Sequence, residues 1–127
     1  MRGYLPVTVS EVESFLKDGT LDVDQLYAPT IKFITANSDL NEEEREYTLS
    51  LLAADEAIEI QEGSFAFIFA LEIPQDQISN EDEVLITLKE KAQWNQVECL
   101  FLVTDDGEDL TWFATQEIAE NLDKWRG

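Results

Sequence analysis

The sequence FAFIFALEIP, residues 65–74, is the longest stretch of the chain that is both apolar and typical of a β-strand. Its odd-numbered residues up to Ile73 are large and apolar, while the residues between them include Ala66 and Ala70. Because side chains alternate between the two faces of a strand, both faces are apolar before Pro74 ends the run. The pattern therefore predicts a central strand, with an alanine face on which a helix packs.

The residues before this strand predict an opening strand, a helix, a second strand and a long helix. Thr8 or Ser10 can cap the first helix, because each is followed three residues later by glutamate, and Gly19 can end it. Residues 20–29 are predicted as a loop. The composition of residues 30–35 predicts the second strand.

The long helix is predicted over residues 42–60, with Asn41 as its cap and three glutamates in its first turn, where the helix dipole favours anions. A helical wheel gives two apolar stripes on opposite sides. The first is predicted to cover the alanine face of the central strand, which places Tyr47 in the core. The second is predicted to meet the C-terminal helix or a second subunit. The stripes are Tyr47, Leu51, Ala54 and Ile58, and Leu49, Ala53, Ala57 and Ile60.

After the central strand, residues 75–82 are predicted as a polar connection, and further strands are predicted over residues 84–88, 97–104 and 110–113. Thr115 is predicted to cap the last helix.

At 127 residues the chain fits one domain, residues 1–127. The element order predicts an α+β fold with a single mixed β-sheet of about five to six strands and three helices packed on it.

The composition is strongly acidic, with 28 acidic and 8 basic residues and a formal net charge of −20. Nucleic-acid and anionic-membrane surfaces need a cationic footprint, so we expect neither as a direct partner.

No signal peptide or apolar run of membrane-spanning length is evident, and we expect a cytoplasmic protein. The single cysteine, Cys99, lies in an apolar run and is predicted to be a buried, reduced thiol.

The chain contains no histidine, which excludes Ser-His-Asp and Cys-His nucleophile activation and imidazole metal ligands. Its five glycines are scattered and form no phosphate-binding loop. Carboxylate chemistry remains, but the acidic loop around Asp105 and Asp106 lacks the ligand spacing of a calcium loop. We therefore expect no catalytic residue, no cofactor and no metal site.

Three segments carry a resemblance to a known family: MRGYLPVT at the start, EEEREYTLSLLAADEA in the long helix and LTWFATQEI near the end. They are similar to small actinobacterial proteins of unknown function that open with Met-Arg-Val-Tyr-Leu/Val-Pro-Ala-Thr and close with Leu-x-Trp-Tyr-Ala-Thr-Gln-Glu. The chain departs from that pattern at Gly3, Val7 and Phe113. Its loop over residues 105–109 is also much shorter than the acidic insertion that the family usually has there. The resemblance implies a shared fold and no site.

Two functional classes remain open, and the sparse set of catalytic residue types favours the first. The first class is a non-enzymatic interaction module, predicted to be a monomer, whose acidic surface or second helix stripe meets a partner such as a basic protein. The alternative is a small enzyme or divalent-metal-dependent protein that uses carboxylates alone. The predicted partner-facing residues are Glu42, Glu43, Glu46, Trp112, Asp105 and Asp106.

A third hypothesis is a nucleic-acid mimic that binds a basic protein. Duplex DNA presents one charge per ~1.7 Å, but the long helix has no acidic residue between Glu46 and Asp55, a gap of about 13 Å. The helix alone is therefore not DNA-like.

Overall fold

A computed structural model of the protein describes residues 1–103 and 110–126. It has the predicted α+β class, with two short 3-10 turns at Gln75–Gln77 and Trp94–Gln96. The helices and strands are β1 (Arg2–Val7), α1 (Val9–Asp18), β2 (Thr20–Leu21), β3 (Gln25–Tyr27), α2 (Ile31–Ala36), α3 (Glu42–Ile60), β4 (Ala66–Glu72), β5 (Ile78–Asp82), β6 (Leu85–Leu88), β7 (Ala92–Gln93), β8 (Val97–Val103), β9 (Leu110–Ala114) and α4 (Thr115–Trp125).

The main sheet has seven strands in the order β5-β6-β3-β1-β4-β8-β9, and β2 pairs with β7 in a small second sheet. Every strand pair in the described ranges is antiparallel. The predicted single mixed sheet of five to six strands is therefore corrected. Two strands of the main sheet are not predicted: β3 lies in the predicted loop and β5 in the predicted polar connection. Each is short and lacks a run of alternating apolar residues. The central position of β4, between β1 and β8, is confirmed.

The predicted second strand over residues 30–35 is wrong, because this segment forms α2. The Thr30 hydroxyl accepts a hydrogen bond from the amide of Phe33 at 3.1 Å, which starts a helix where the β-branched composition had indicated a strand. This helix raises the number of helices in the described chain from the predicted three to four.

The other helix ends follow the predicted signals with one exception. Thr8 and Asn41 each form a capping box at the start of α1 and α3. Gly19 ends α1 in the left-handed conformation, with φ of 76°. Thr115 is the first residue of α4 rather than its cap, which is Ala114.

The two faces of β4 pack against different helices, and the alanine face carries the helix that the sequence predicts. Phe67 and Phe69 belong to a buried cluster that includes residues of α1 and α4. Ala66 and Ala70 belong to a second cluster that includes residues of α3. The sheet therefore lies between α1 and α4 on one side and α3 on the other.

The predicted orientation of α3 is corrected. Tyr47, assigned to the core, has 58% of its surface exposed, and only Ala54 of the first stripe is buried. Much of the second stripe faces the sheet, so neither α4 nor a second subunit is needed to cover it. The buried residues of α3 are Leu49, Ser50, Ala53, Ala54 and Ala57. The small side chains of Ser50 and of the three alanines let the helix approach the alanine face of β4, and the bulkier Tyr47 lies outside the contact.

Replacing Ala70 by leucine tests this close contact. Ala70 is fully buried in the cluster that contains the α3 alanines, so the larger side chain must displace packed atoms. We expect Ala70→Leu to lower the free energy of unfolding by roughly 1 to 3 kcal/mol, measured by urea denaturation. The matched control is Ala119→Leu at an exposed position of α4. Equal denaturation midpoints for the two variants would contradict the close packing.

A hydrogen bond between β3 and α3 gives a pH-dependent prediction. The Tyr27 hydroxyl donates to Glu56 Oε1 at 2.9 Å. Burial, together with this bond, raises the pKa of Tyr27 to about 12. Since the pKa of a tyrosine in the unfolded chain is about 10, the stabilisation is complete below pH ~10 and is lost as the pH rises through about 12.

We therefore expect Tyr27→Phe to cost about 1 kcal/mol near neutral pH. The difference in unfolding free energy between the wild-type protein and this variant should shrink between pH ~10 and ~12. If the difference stayed constant over that range, ionisation of the Tyr27 hydroxyl would not affect the stability of the fold.

Candidate functional site

A groove lies on the α3 side of the sheet, where the first half of α3 faces β1, β8 and β9. Its volume is about 360 Å³. We call it the aromatic groove, and its lining residues are Arg2, Tyr4, Glu43, Glu46, Tyr47, Ser50, Phe101 and Leu110. These residues come from four separate elements, so the groove exists only in the folded chain.

A second cavity, of about 470 Å³, adjoins the groove, because Arg2 and Glu46 line both. We call it the acidic cleft. Its lining residues are Met1, Arg2, Pro29, Ile34, Glu42, Arg45, Glu46, Glu72 and Glu98. Its four carboxylates face two guanidinium groups and the Met1 amine, which is 2.9 Å from Glu72. The lining is therefore rich in carboxylates and suits a cationic ligand better than an anionic one.

Arg2 separates the two cavities and is held by its neighbours. Its Nε lies 3.5 Å from Glu98 Oε1, and its guanidinium carbon lies 5.7 Å from the centroid of the Tyr4 ring. Burial acts to lower the pKa of Arg2, but Tyr4, Cys99, Glu98 and Glu46 more than offset this effect, and the pKa is raised. Arg2 is thus a fixed cation whose charge is partly balanced by Glu98.

Cys99 lies beneath the groove and has the buried side chain that the sequence predicts. Burial raises the pKa of its thiol, while Arg2, whose Nη2 lies 3.8 Å from Sγ, and a hydrogen bond from Trp112 act to lower it. Burial prevails, so the thiol is protonated at neutral pH and is a poor nucleophile.

Two exposed aromatic side chains accompany the groove. Tyr47 lines it and is 58% exposed, and Trp112 is 57% exposed. Trp112 pairs directly with Phe101 across β8 and β9, so both side chains lie on the same face of the sheet. The other tryptophans are packed, Trp94 against Phe15 and Phe69 and Trp125 against Phe67 and Phe113. The exposed ring of Trp112 is therefore available to a ligand.

The structure brings together four of the six residues that the sequence predicts as partner-facing. Glu43 and Glu46 line the aromatic groove, Glu42 lines the acidic cleft with Glu46, and Trp112 stands beside Phe101. Asp105 and Asp106 lie outside the described residues.

Sequence reasoning missed Arg2, Tyr4 and Phe101 and placed Tyr47 in the core. The sequence does contain a signal for two of these residues. Arg2 and Tyr4 are separated by one residue on the opening strand, so their side chains share one face of it. Among residues 1–103 and 110–126, the acidic and cysteine side chains form no group of three or more that could hold a metal ion.

Comparison with known proteins identifies a family whose function is unknown. A family model described as "Family of unknown function (DUF6912)" matches residues 1–109. The match includes Arg2, Tyr4 and Phe101 but stops short of Trp112. No curated protein and no solved structure matches the chain. In the described part of the chain, no helix is long and apolar enough to cross a membrane.

The exposure of Trp112 can be measured by fluorescence. We expect the tryptophan emission to contain one component that acrylamide quenches readily, because Trp112 is exposed while Trp125 is buried. Trp112→Phe should shift the emission to shorter wavelength and remove most of this quenching. Trp94→Phe, the matched control, should preserve it. Unchanged quenching in the Trp112→Phe variant would show that the indole is not solvent-accessible.

Proposed function

Because the chain belongs to the DUF6912 family, whose function is unknown, we propose its role from its own structure: it is a binding module whose aromatic groove takes a basic segment of a partner protein. The observation that carries the proposal is the combination of exposed aromatic rings with carboxylates at one place. Tyr47 and Trp112 are exposed beside Glu43 and Glu46, above a floor that includes Phe101.

This combination fits the side chains of arginine and lysine. Their cationic heads pair with carboxylates and are attracted to the faces of aromatic rings, an interaction worth about 0.5 to 1 kcal/mol at exposed sites. Their aliphatic stems cover apolar surface while the charge stays in water. Arg2 pairs with Glu98, and within residues 1–103 and 110–126 no salt bridge involves Glu43 or Glu46, so these two carboxylates can pair with the partner.

The charge of the whole chain supports the same partner. At a net charge of −20, the protein attracts basic segments over a Debye length of about 8 Å at physiological ionic strength. Such steering raises the association rate and weakens as salt is added. We therefore expect binding to be salt-dependent.

Both the basic-segment proposal and the nucleic-acid-mimic hypothesis involve a basic partner. The exposed rings of Tyr47 and Trp112 favour the first, because a mimic of the DNA backbone needs spaced charges rather than aromatic side chains. A monomeric state, a cytoplasmic location and an origin among actinobacteria remain predictions from the sequence.

A peptide titration tests the proposed function. The probe is a short peptide that alternates arginine with valine, and the signal is the fluorescence of Trp112. We expect the double variant Glu43→Gln/Glu46→Gln to weaken binding about tenfold, because each exposed ion pair is worth up to about 1 kcal/mol.

The control is Glu90→Gln/Glu120→Gln, which changes the net charge equally at exposed positions that line neither cavity. It should bind the peptide nearly as well as the wild-type protein. If both double variants lost affinity equally, binding would depend on overall charge and the groove would not be the site. Equal binding of a peptide that alternates glutamate with valine would also refute the proposal.

A further inference from the structure

The strand β9 forms one edge of the main sheet, next to the aromatic groove. Among the described residues it pairs with β8 alone. No backbone hydrogen bond outside that pairing involves residues 110–114 within the part of the chain that the structure describes. The outer side of β9 therefore presents backbone groups with no backbone partner in those ranges.

The cap of α4 shows which backbone groups point outward. The Ala114 amide donates to Glu117 Oε1 at 2.9 Å rather than to Cys99, its partner across the strand pair. In an antiparallel pair, hydrogen-bonded and non-hydrogen-bonded residue pairs alternate. Trp112 and Leu110, two and four positions earlier in the same register, are thus also of the non-hydrogen-bonded type. Their N–H and C=O groups point away from β8.

The other edge of the sheet is protected by features that β9 lacks among the described residues. The strand β5 carries Glu81 and Asp82, and its pairing with β6 contains a register shift. Residues of α2 also contact this edge, since Glu81 accepts from the Ile31 amide at 3.2 Å and Asp82 pairs with Lys32 at 3.5 Å. Charges and irregular pairing are the usual protection of an edge strand. The sequence of β9, LTWFA, contains neither a charge nor a proline.

We propose that the basic segment bound by this protein adds to the sheet as an extended strand along β9. The inference rests on the proposed function and specifies how that partner binds. Main-chain hydrogen bonds to Leu110 and Trp112 would hold the added strand, as in other complexes formed by strand addition. Alternate side chains of the added strand lie on the α3 face, the face of Trp112 and of the groove.

Charge complementarity identifies the occupant. A second copy of the chain could pair its own β9 with this edge, but that contact would bring together two chains with a net charge of −20 each. A basic segment gains from the same charge. The uncharged sequence of β9 lets such a segment approach without desolvating a charge on the edge itself.

Amide hydrogen exchange, measured by NMR on the intact chain, tests the proposal with the same arginine–valine peptide. At saturating peptide, exchange of the Leu110 and Trp112 amides should slow at least tenfold. The amides of Thr111 and Phe113, which face β8, should change little. The same peptide with N-methyl groups on alternate backbone amides keeps its charge and should bind at least tenfold more weakly.

The possible results separate this inference from the proposed function. If the peptide binds with the expected loss in Glu43→Gln/Glu46→Gln, but the Trp112 amide is unprotected and the methylated peptide binds equally, strand addition is wrong and binding in the groove stands. If neither peptide binds, both proposals are refuted. If the Trp112 amide becomes protected with rising protein concentration in the absence of peptide, a second copy occupies the edge and the basic segment is refuted as its occupant.

Discussion

The contact between alanines on α3 and β4 determines where the aromatic groove lies. Ala66 and Ala70 of β4 share a buried cluster with Ala53, Ala54 and Ala57 of α3. Small side chains on both surfaces let the helix lie close to the sheet, and Leu49 is the large side chain of α3 that is buried with them. This constraint leaves Tyr47 at the rim, on the same helix as Glu43 and Glu46. The aromatic groove is therefore a direct consequence of how the core packs.

The opposite face of the sheet leaves little surface for function. Phe67 and Phe69 are covered by α1 and α4, and edge-to-face contacts join Phe15 to Phe69 at 5.3 Å and to Trp94 at 5.2 Å between ring centroids. Such aromatic packing stabilises the core beyond the area it buries. Two helices cover that face. On the α3 side, by contrast, the aromatic rings of Tyr47 and Trp112 are exposed and accessible to a partner.

The sequence predicts elements whose signals are local and strong, but it does not predict how distant segments meet. Alternation identified β4 and both of its faces, and cap residues located α1 and α3. The helical wheel gave the angles between the stripes of α3 without showing which arc faces the sheet. Arg2, Phe101 and Trp112 come together because β1 pairs with β4, β4 with β8 and β8 with β9. Register between segments so far apart depends on the whole fold, so the groove could be predicted only in part, from its acidic residues and Trp112.

In the proposed complex, the groove and the edge strand would supply different parts of the binding energy. Exposed ion pairs of a basic segment with Glu43 and Glu46 would contribute at most about 1 kcal/mol each and mainly increase the association rate. Backbone hydrogen bonds along β9 would add affinity but accept any extended sequence. Aromatic contacts supply apolar area and a preference for cationic side chains. Trp112 combines two of these roles, because its backbone lies on the edge of the sheet while its side chain stands beside Phe101 at the groove. In the proposed complex, selectivity for a basic segment would therefore depend on Trp112, which lies at the boundary between the two surfaces.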